Sequence, residues 1–285
     1  MLSVRIKGLR KEAGLSQEQL AEKIGVSRQA VTKWETGLGL PDLDNLVRLA
    51  DMFNVTTDSL LRDTPKRVSV SSWRTYESES ICDLEGTCDF DIACGYANHV
   101  ELVGGLSEKV HITLGSDRIS DIEKKYKVRL GTGGDTFDIS VVPADGATSA
   151  EARGSLDIRV VIPSAWMNHV EIAATADTLD VSGLAVTHTE IGGNLNVVSL
   201  EGIGGHVDID VHNGLQIVSD DLPAQLNVNQ QSASSTLLIP AGTPFVTRNR
   251  GRRCIVVLDG IEETADAPST IALGGVGSQL TIRHA

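Results

Sequence analysis

The sequence is poor in cysteine and contains no long apolar run. Four cysteines in 285 residues are too few for the disulfide framework of small secreted proteins. No apolar stretch approaches the roughly 20 residues of a membrane-spanning helix, and charged side chains interrupt the opening MLSVRIKGLRKEAG, which excludes a signal-peptide core. These absences predict a cytoplasmic protein with no membrane partner, and the length predicts two domains.

Positive charge is scarce overall but is concentrated at one end. The net charge is −13, yet residues 1–64 hold equal numbers of basic and acidic side chains, so the whole excess of acid lies in the remainder. Residues 1–33 carry seven basic side chains against three acidic ones. The N-terminal end therefore tolerates a polyanion such as DNA, and the rest of the chain repels it.

Apolar side chains recur at helical spacing through residues 1–64, which predicts a helical domain. Ser16 followed by Gln19 is a capping box that begins one helix. Gly25 ends that helix, because glycine adopts the left-handed conformation without a steric cost. Ser27 caps the next helix almost at once. Two short helices joined through GVS are typical of a helix-turn-helix motif.

The segments LSQEQLAEKIGVSRQAVTKWETG and LPDLDNLVRLADMFNVTTDSLL resemble the Cro/cI-type (XRE) family of five-helix DNA-binding domains. The resemblance covers about residues 3–62. Asp42 is placed to cap the helix LDNLVRLADMFN, and TTDSLLRD is predicted to be a short fifth helix. The expected fold of the N-terminal region is therefore a five-helix helix-turn-helix domain over residues 1–64.

The helix that follows Ser27 carries long polar donors suited to the DNA major groove. Arginine bonds guanine, glutamine bonds adenine and threonine contacts the thymine methyl. The resemblance implies that this helix faces bases and adjacent phosphates, and that the positive end of the preceding helix grips a phosphate. The alternative is a small helical bundle with a solvated polar face. The predicted DNA-binding residues are Gln17, Ser27, Arg28, Gln29, Thr32 and Lys33.

From about residue 80 the apolar period changes to two. Short alternating segments recur every 8 to 16 residues between Gly, Asn, Ser and Asp, and they predict strands with one buried face. The repetition predicts a β-solenoid-like domain at residues 79–285, or a sandwich of the same strands, after a linker at 65–78. DIEKKY is the only brief helical candidate here. The segments are VEI at 170, LDV at 179, LNV at 195, VDIDV at 207, LQI at 215, LNV at 226 and LLI at 237.

This half also resembles, through LDIRVVIPSAWMNHVEI and STLLIPAGTPF, the adhesin-like solenoid domains of unknown function found in bacteria. In both segments a strand ends in Ile-Pro and a further strand or turn follows. That resemblance implies a fold and no chemistry.

Cys82, Cys88, Cys94 and His99 are ligand types that zinc prefers. Their six-residue cysteine spacing exceeds the two to four residues of usual zinc pairs. Leu84 and the other apolar residues nearby share their parity along the strand, so they are predicted to be core filler. A metal or redox role is the alternative.

Two other polar groups are predicted to be solvated. Asp208, Asp210 and His212 share one face of HVDIDVHNG, which could suggest calcium or a sugar-cleaving site but matches the polar side of an alternating strand. Four arginines surround a turn at Gly251 and are predicted to form a hairpin tip, with phosphate or the domain's own carboxylates as the alternative partner. No metal site and no cofactor are predicted. The arginines are Arg248, Arg250, Arg252 and Arg253.

Taken together, these features predict a sequence-specific transcriptional regulator that binds operator double-stranded DNA. One small domain contacts one half-site, so the β-rich domain is expected to form a homo-oligomer, a dimer in the simplest case, to sense an unknown effector, or both. The alternatives are an interaction module with auxiliary DNA binding and a carbohydrate-active β-helix enzyme. No enzymatic activity is predicted: the Ser/Lys self-cleavage of some repressors needs a lysine after its serine, and no lysine follows Lys127.

Overall fold

A computed structural model describes residues 6, 7, 10, 15–36, 39–42, 45, 46, 48, 49, 52, 73–84, 86–105, 107–144 and 146–285. The chain divides into two compact units, Met1–Ser71 and Ser72–Ala285. Within the described ranges, no helix is both long enough and apolar enough to cross a membrane.

The N-terminal unit contains helices α1 (Gln17–Ile24) and α2 (Arg28–Thr36). The predicted capping box precedes α1: the Ser16 hydroxyl accepts the Gln19 amide at 3.1 Å, and the Gln19 side chain accepts the Ser16 amide at 2.8 Å. Gly25 has φ +76°, and the Val26 amide donates to the Ala21 carbonyl at 2.9 Å. That bond closes α1 with a Schellman motif, so the chain turns sharply into α2.

The helices bury one apolar cluster between them. The Asp42 carboxylate accepts the Asn45 amide at 2.9 Å, which is the predicted cap. Besides α1 and α2, the described residues before α1 (Ile6, Lys7 and Arg10) and after Asp42 (45, 46, 48, 49 and 52) are helical, and the predicted count of five helices is not confirmed. The predicted fifth helix, TTDSLLRD, lies outside the described residues. The buried cluster consists of Ile6, Leu20, Ala21, Ile24, Val31, Trp34 and Leu49.

The C-terminal unit is a sheet of 17 strands among its described residues. All seven segments predicted as strands lie in or overlap these strands. The strands are β1 (Tyr76–Asp83), β2 (Cys88–Tyr96), β3 (His99–Gly105), β4 (Lys109–Ser116), β5 (Tyr126–Gly133), β6 (Thr136–Pro143), β7 (Asp157–Pro163), β8 (Met167–Ser182), β9 (His188–Glu201), β10 (His206–Val211), β11 (Gln216–Ser219), β12 (Gln225–Gln231), β13 (Ser234–Ile239), β14 (Phe245–Asn249), β15 (Ile255–Asp259), β16 (Ser269–Val276) and β17 (Gln279–His284).

The strands form two ladders that share β8 and β9. One ladder runs β5–β6–β2–β8–β9–β10–β12–β16–β14, and the other runs β1–β4–β7–β3–β8–β9–β11–β13–β17–β15. The first halves of β8 and β9 belong to the first ladder and their second halves to the other. All pairs are parallel except β1–β4, β4–β7 and β5–β6 at one end. From β8 to β13 each turn of chain adds one strand to each ladder, whereas β16 and β17 lie between the β12–β13 turn and the β14–β15 turn.

Parallel register places like residues above one another, which is how the core is built. Within the first ladder, apolar side chains two residues apart point inward, and polar ones between them point outward. One inward row crosses seven strands without interruption, and every member is buried. The row is Ile139, Ile92, Ile172, Ile191, Ile209, Val228 and Leu273.

Two short helices accompany the strands, α3 (Ile122–Lys125) within the predicted DIEKKY and α4 (Ser149–Ser155). A 3-10 turn also spans Ser164–Trp166. The expectation that DIEKKY is the only helix after residue 64 is wrong. The sequence signal for α4 is Thr148 followed three residues later by Glu151, because the Thr148 hydroxyl accepts the Glu151 amide at 3.1 Å.

Gly193 is a position where the fold excludes a side chain. Its φ is +118°, and a Cβ would lie 1.9 Å from the Ala174 carbonyl oxygen. Gly202 also has a positive φ, +59°, but nothing lies within 4 Å of its Cβ position. We expect Gly193→Ala to lower the free energy of unfolding of this unit by about 1–3 kcal/mol more than Gly202→Ala, because only the first adds a steric clash. Urea unfolding of both variants measures the difference, and equal midpoints would contradict it.

Candidate nucleic-acid interface

The predicted base-contacting side chains lie on the side of α2 that faces away from the apolar cluster. Arg28, Gln29 and Lys33 are exposed and Thr32 is half-buried. Helical spacing makes residues four apart neighbours, so Arg28 lies beside Thr32 and Gln29 beside Lys33. The structure therefore brings these four side chains together on one polar surface.

Ser27 immediately precedes α2 and is exposed. Its hydroxyl accepts the Ala30 amide at 3.2 Å, so it caps the helix as predicted. The remaining amides of this first turn point out of the helix N-terminus, where the helix dipole favours negative charge.

Gln17 lies at the junction of the two helices and is half-buried. Its side-chain nitrogen donates to Glu35 at 2.8 Å, and its side-chain oxygen accepts the Thr32 hydroxyl at 3.2 Å. The Thr32 hydroxyl also lies 3.0 Å from the Arg28 carbonyl oxygen. The side chains of Gln17 and Thr32 are thus committed to contacts within the protein, and they tie the start of α1 to the middle of α2.

A buried ion pair lies behind this surface, and the sequence patterns did not single it out. Arg10 donates to both carboxylate oxygens of Glu35, at 2.6 and 3.0 Å, and to the Leu15 carbonyl at 2.7 Å. The side chains are 12% and 2% exposed. The sequence feature that could have revealed it is the position of Glu35, four residues after Val31, because that spacing places a charged side chain within the apolar stripe of α2.

The ion pair shifts the pKa values of both partners toward their charged forms. Burial alone raises the pKa of Glu35, but the hydrogen bonds from Arg10 and Gln17 and the charge of Arg10 outweigh it, so the net shift is downward. The hydrogen bond to Glu35 raises the pKa of Arg10. Both groups stay ionised, and the pair fixes the position of α2.

The cysteine group is divided among three strands of the other unit. Cys94 is in the core, and burial raises the pKa of its thiol to about 12. Cys82 and Cys88 are half-buried and pack against that core. His99 pairs with Thr178, at 2.6 Å from its hydroxyl. Among the described residues, no cluster with metal-ligand geometry includes any of the three cysteines.

The three polar residues of HVDIDVHNG differ in their exposure to solvent. Asp210 and His212 are exposed, as predicted. Asp208 is not: its side chain is 20% exposed and lies 2.7 Å from His188 Nε2. His188 on the neighbouring strand β9 and His206 on β10 itself both contact Asp208. The sequence patterns did not connect Asp208 with His188, because the two residues lie on separate strands.

The arginines around Gly251 are all exposed, but they do not form a hairpin tip. β14 pairs in parallel with β16, and β15 pairs in parallel with β17. The turn therefore connects two strands of different ladders. The hairpin expectation is wrong because adjacent strands in the sequence pass to opposite ladders here.

Residues 6–60 match the family profile described as Helix-turn-helix. The HTH-type transcriptional activator BcrR of Enterococcus faecalis is 46% identical over 57 residues, which are 20% of this chain and 28% of the activator. The cryptic phage CTXphi transcriptional repressor RstR of Vibrio cholerae is 39% identical over 56 residues, which are 20% of this chain and 50% of the repressor. The chain thus spans half or less of the length of these two relatives.

Among solved structures, the chain is similar to the crystal structure of a "putative adhesin" from Bacteroides fragilis. The sequence identity is 10% and the TM-score 0.41, with 73% of this chain and 98% of the other covered. No residue role follows from this likeness.

Proposed function

We propose that this protein, which carries an XRE-type helix-turn-helix domain at its N-terminus, is a sequence-specific DNA-binding transcriptional regulator. The observation that carries the proposal is the polar surface of α2, where Arg28, Gln29 and Lys33 stay exposed although the opposite side of the helix is buried. Such a regulator acts where the genome is, so the proposed location is the cytoplasm.

Each predicted residue has a proposed role that agrees with its position. Arg28 and Gln29 project from the first turn of α2 and are proposed to read base edges in the major groove. Lys33 is proposed to contact a base or an adjacent phosphate. Thr32 is half-buried, so its methyl group is the part proposed to reach a thymine.

Phosphate contacts are proposed at the starts of the two helices. The Gln17 side chain is held by Glu35 and Thr32, which leaves its main-chain amide, at the positive end of α1, as the proposed phosphate donor. Ser27 is likewise proposed to contact a phosphate, at the start of α2. The internal contacts of Gln17 serve this role by holding the two helix starts in a fixed relation.

The direct test is binding of the full chain to labelled DNA from its own promoter region, compared with scrambled DNA of equal length. Specific binding at near-physiological salt supports the proposal. If no bound sequence emerges from that region or from selection on random DNA, the proposal is wrong, and an interaction module takes its place.

The C-terminal unit is proposed to be a β-solenoid that joins two copies of the chain. The parallel, in-register ladders support the solenoid, since the stacked turns of chain cover one another's apolar edges. Reading two half-sites about 34 Å apart requires two helix-turn-helix domains. The strongly acidic composition of this half keeps it off the phosphates.

The proposed contact between the copies is the end formed by β14 and β15. Among the described residues each of these strands is paired on one side only. Ile255 is 57% exposed and Leu258 37%. An unpaired parallel edge with exposed apolar side chains is a template for pairing with a second copy.

We expect Ile255→Asp to convert a dimer into a monomer, because it places an unpaired carboxylate in the contact, at a cost of about 2 kcal/mol or more. Sedimentation velocity of the full chain measures the change. Ile81→Asp is the matched control, since Ile81 is 52% exposed on the edge strand β1. A dimer that survives Ile255→Asp and is lost in Ile81→Asp would place the contact at the other end.

A further inference from the structure

Three histidines lie in one row across β8, β9 and β10. His169 pairs in register with His188, and His188 pairs with His206. An acidic residue follows each histidine after one intervening position, and these residues also align across the strands. The acidic row is Glu171, Glu190 and Asp208, and Gln225 and Asn227 continue the two rows on β12.

The imidazole rings follow one another along this row, with their planes tilted by 59° and 41°. The ring centroids of His169 and His188 are 4.9 Å apart, and those of His188 and His206 are 4.8 Å apart. Neighbouring strands are separated by about 4.7–4.9 Å, so the backbone itself sets the spacing. The ligand positions are therefore built on strands and do not depend on a loop.

In one set of three side chains, the carboxylate lies close to both imidazoles without a hydrogen bond to either. Glu190 Oε1 lies 3.8 Å from His169 Nε2 and 3.8 Å from His188 Nδ1. These separations are too long for hydrogen bonds. A tetrahedral Zn²⁺ with bonds of about 2.0–2.1 Å holds its ligand atoms roughly 3.4 Å apart, so small side-chain movements would close the set around an ion.

Asp208 orients the central histidine. Its Oδ2 lies 2.7 Å from His188 Nε2, and its Oδ1 accepts the Asn227 amide at 2.6 Å. A carboxylate accepts the proton on Nε2, which leaves Nδ1 of His188 as a lone pair directed toward Glu190.

We propose that His169, His188 and Glu190 bind a divalent transition-metal ion, with Asp208 as the residue that positions His188. Two imidazoles with one carboxylate favour zinc and its neighbours over calcium or magnesium, which prefer oxygen ligands. Glu190 is 40% exposed and His169 28%, so a fourth coordination position is open to water. The inference is independent of the proposed DNA binding.

The other histidine set is the weaker candidate. His188, His206 and Asp208 also lie within ligand distance of one another. Hydrogen bonds already occupy it: His206 Nε2 lies 2.6 Å from the Asn227 amide nitrogen and 3.2 Å from Asp208. An ion there would have to displace these bonds, whereas the first set has none between its ligand atoms.

The test is calorimetric titration of the metal-free full chain with Zn²⁺ alone. We expect one saturable site per chain, its loss in His169→Ala and His188→Ala, and affinity weakened about 10–100-fold in Asp208→Asn. His212→Ala is the matched control, because His212 is exposed on the same unit outside the row. It should bind as the unaltered chain does.

A second readout separates ligation from folding. Co²⁺ substitution gives visible bands that report ligand number, and Glu190→Gln should change them while thermal unfolding of the metal-free chain stays unchanged. Absence of saturable Zn²⁺ binding would overturn the proposal. So would binding that persists in both His169→Ala and Glu190→Gln.

Discussion

Replacing Arg28 and Gln29 together by alanine is expected to weaken specific DNA binding strongly and to leave the fold intact. Both side chains are exposed on α2, and neither contributes to the apolar cluster. Each lost base contact costs about 1–3 kcal/mol, so the pair is expected to lower the affinity by about 30-fold to 10⁴-fold. The physical reason is that the buried base edges lose their hydrogen-bond partners and water cannot replace them, because it does not reach these edges in the complex.

The measurement is a titration of promoter DNA and scrambled DNA at low and near-physiological salt. Lys23→Ala is the control for charge, because Lys23 is exposed in the last turn of α1 and its loss also removes one positive charge. Lys33→Ala provides a contrast: if Lys33 contacts phosphate, binding to both DNAs weakens similarly and the salt slope falls by about 1. If the double variant and the unaltered chain bind both DNAs alike and salt abolishes the binding, all contacts are to phosphate.

Replacing Glu35 by glutamine is expected to destabilise the N-terminal unit by about 3–5 kcal/mol, because it leaves the buried Arg10 charge uncompensated. Glu35 also accepts from Gln17, so the link between α1 and α2 weakens in the same variant. Hydrogen exchange of the α1 and α2 amides in the full chain measures the loss locally. Glu18→Gln is the matched control on α1, since Glu18 is exposed.

The stabilisation of the N-terminal unit by Glu35 depends on pH in a defined direction. The pKa of Glu35 is lower in the folded state than in the unfolded chain, against the pull of burial, because of Arg10 and Gln17. Its stabilisation is therefore complete above the unfolded pKa, about 4.3, and is lost as the pH falls through the folded pKa. The glutamine variant should lack this acid-side loss. Equal protection in Glu35→Gln and Glu18→Gln at neutral pH would contradict the prediction.

The helix-turn-helix region was predictable because its signals are local. The capping box at Ser16, the left-handed Gly25 and the caps at Ser27 and Asp42 each act within four residues. The exposed positions of Arg28 and Gln29 follow from the same short-range periodicity. The roles of these side chains at DNA remain predictions.

The strands of the C-terminal half were also predictable, but their partners were not. Alternation reveals which face of a strand is buried, and it contains no information on which strand lies beside it. The sequence therefore did not predict the antiparallel pairs β1–β4, β4–β7 and β5–β6, or that β14 and β15 belong to different ladders. The helix α4 was missed although its capping residues, Thr148 and Glu151, stand in the sequence.

By itself, the sequence determined the helix starts and ends, the buried faces of the strands and the polar surface of α2, since each depends on residues within one or two turns or alternations. Only the tertiary structure decided that Arg10 meets Glu35 and that His169, His188 and Glu190 converge. Arg10 is 25 positions from Glu35, and His169 is 19 positions from His188 and 21 from Glu190. Chain packing and parallel register bring them together, and no local periodicity encodes either.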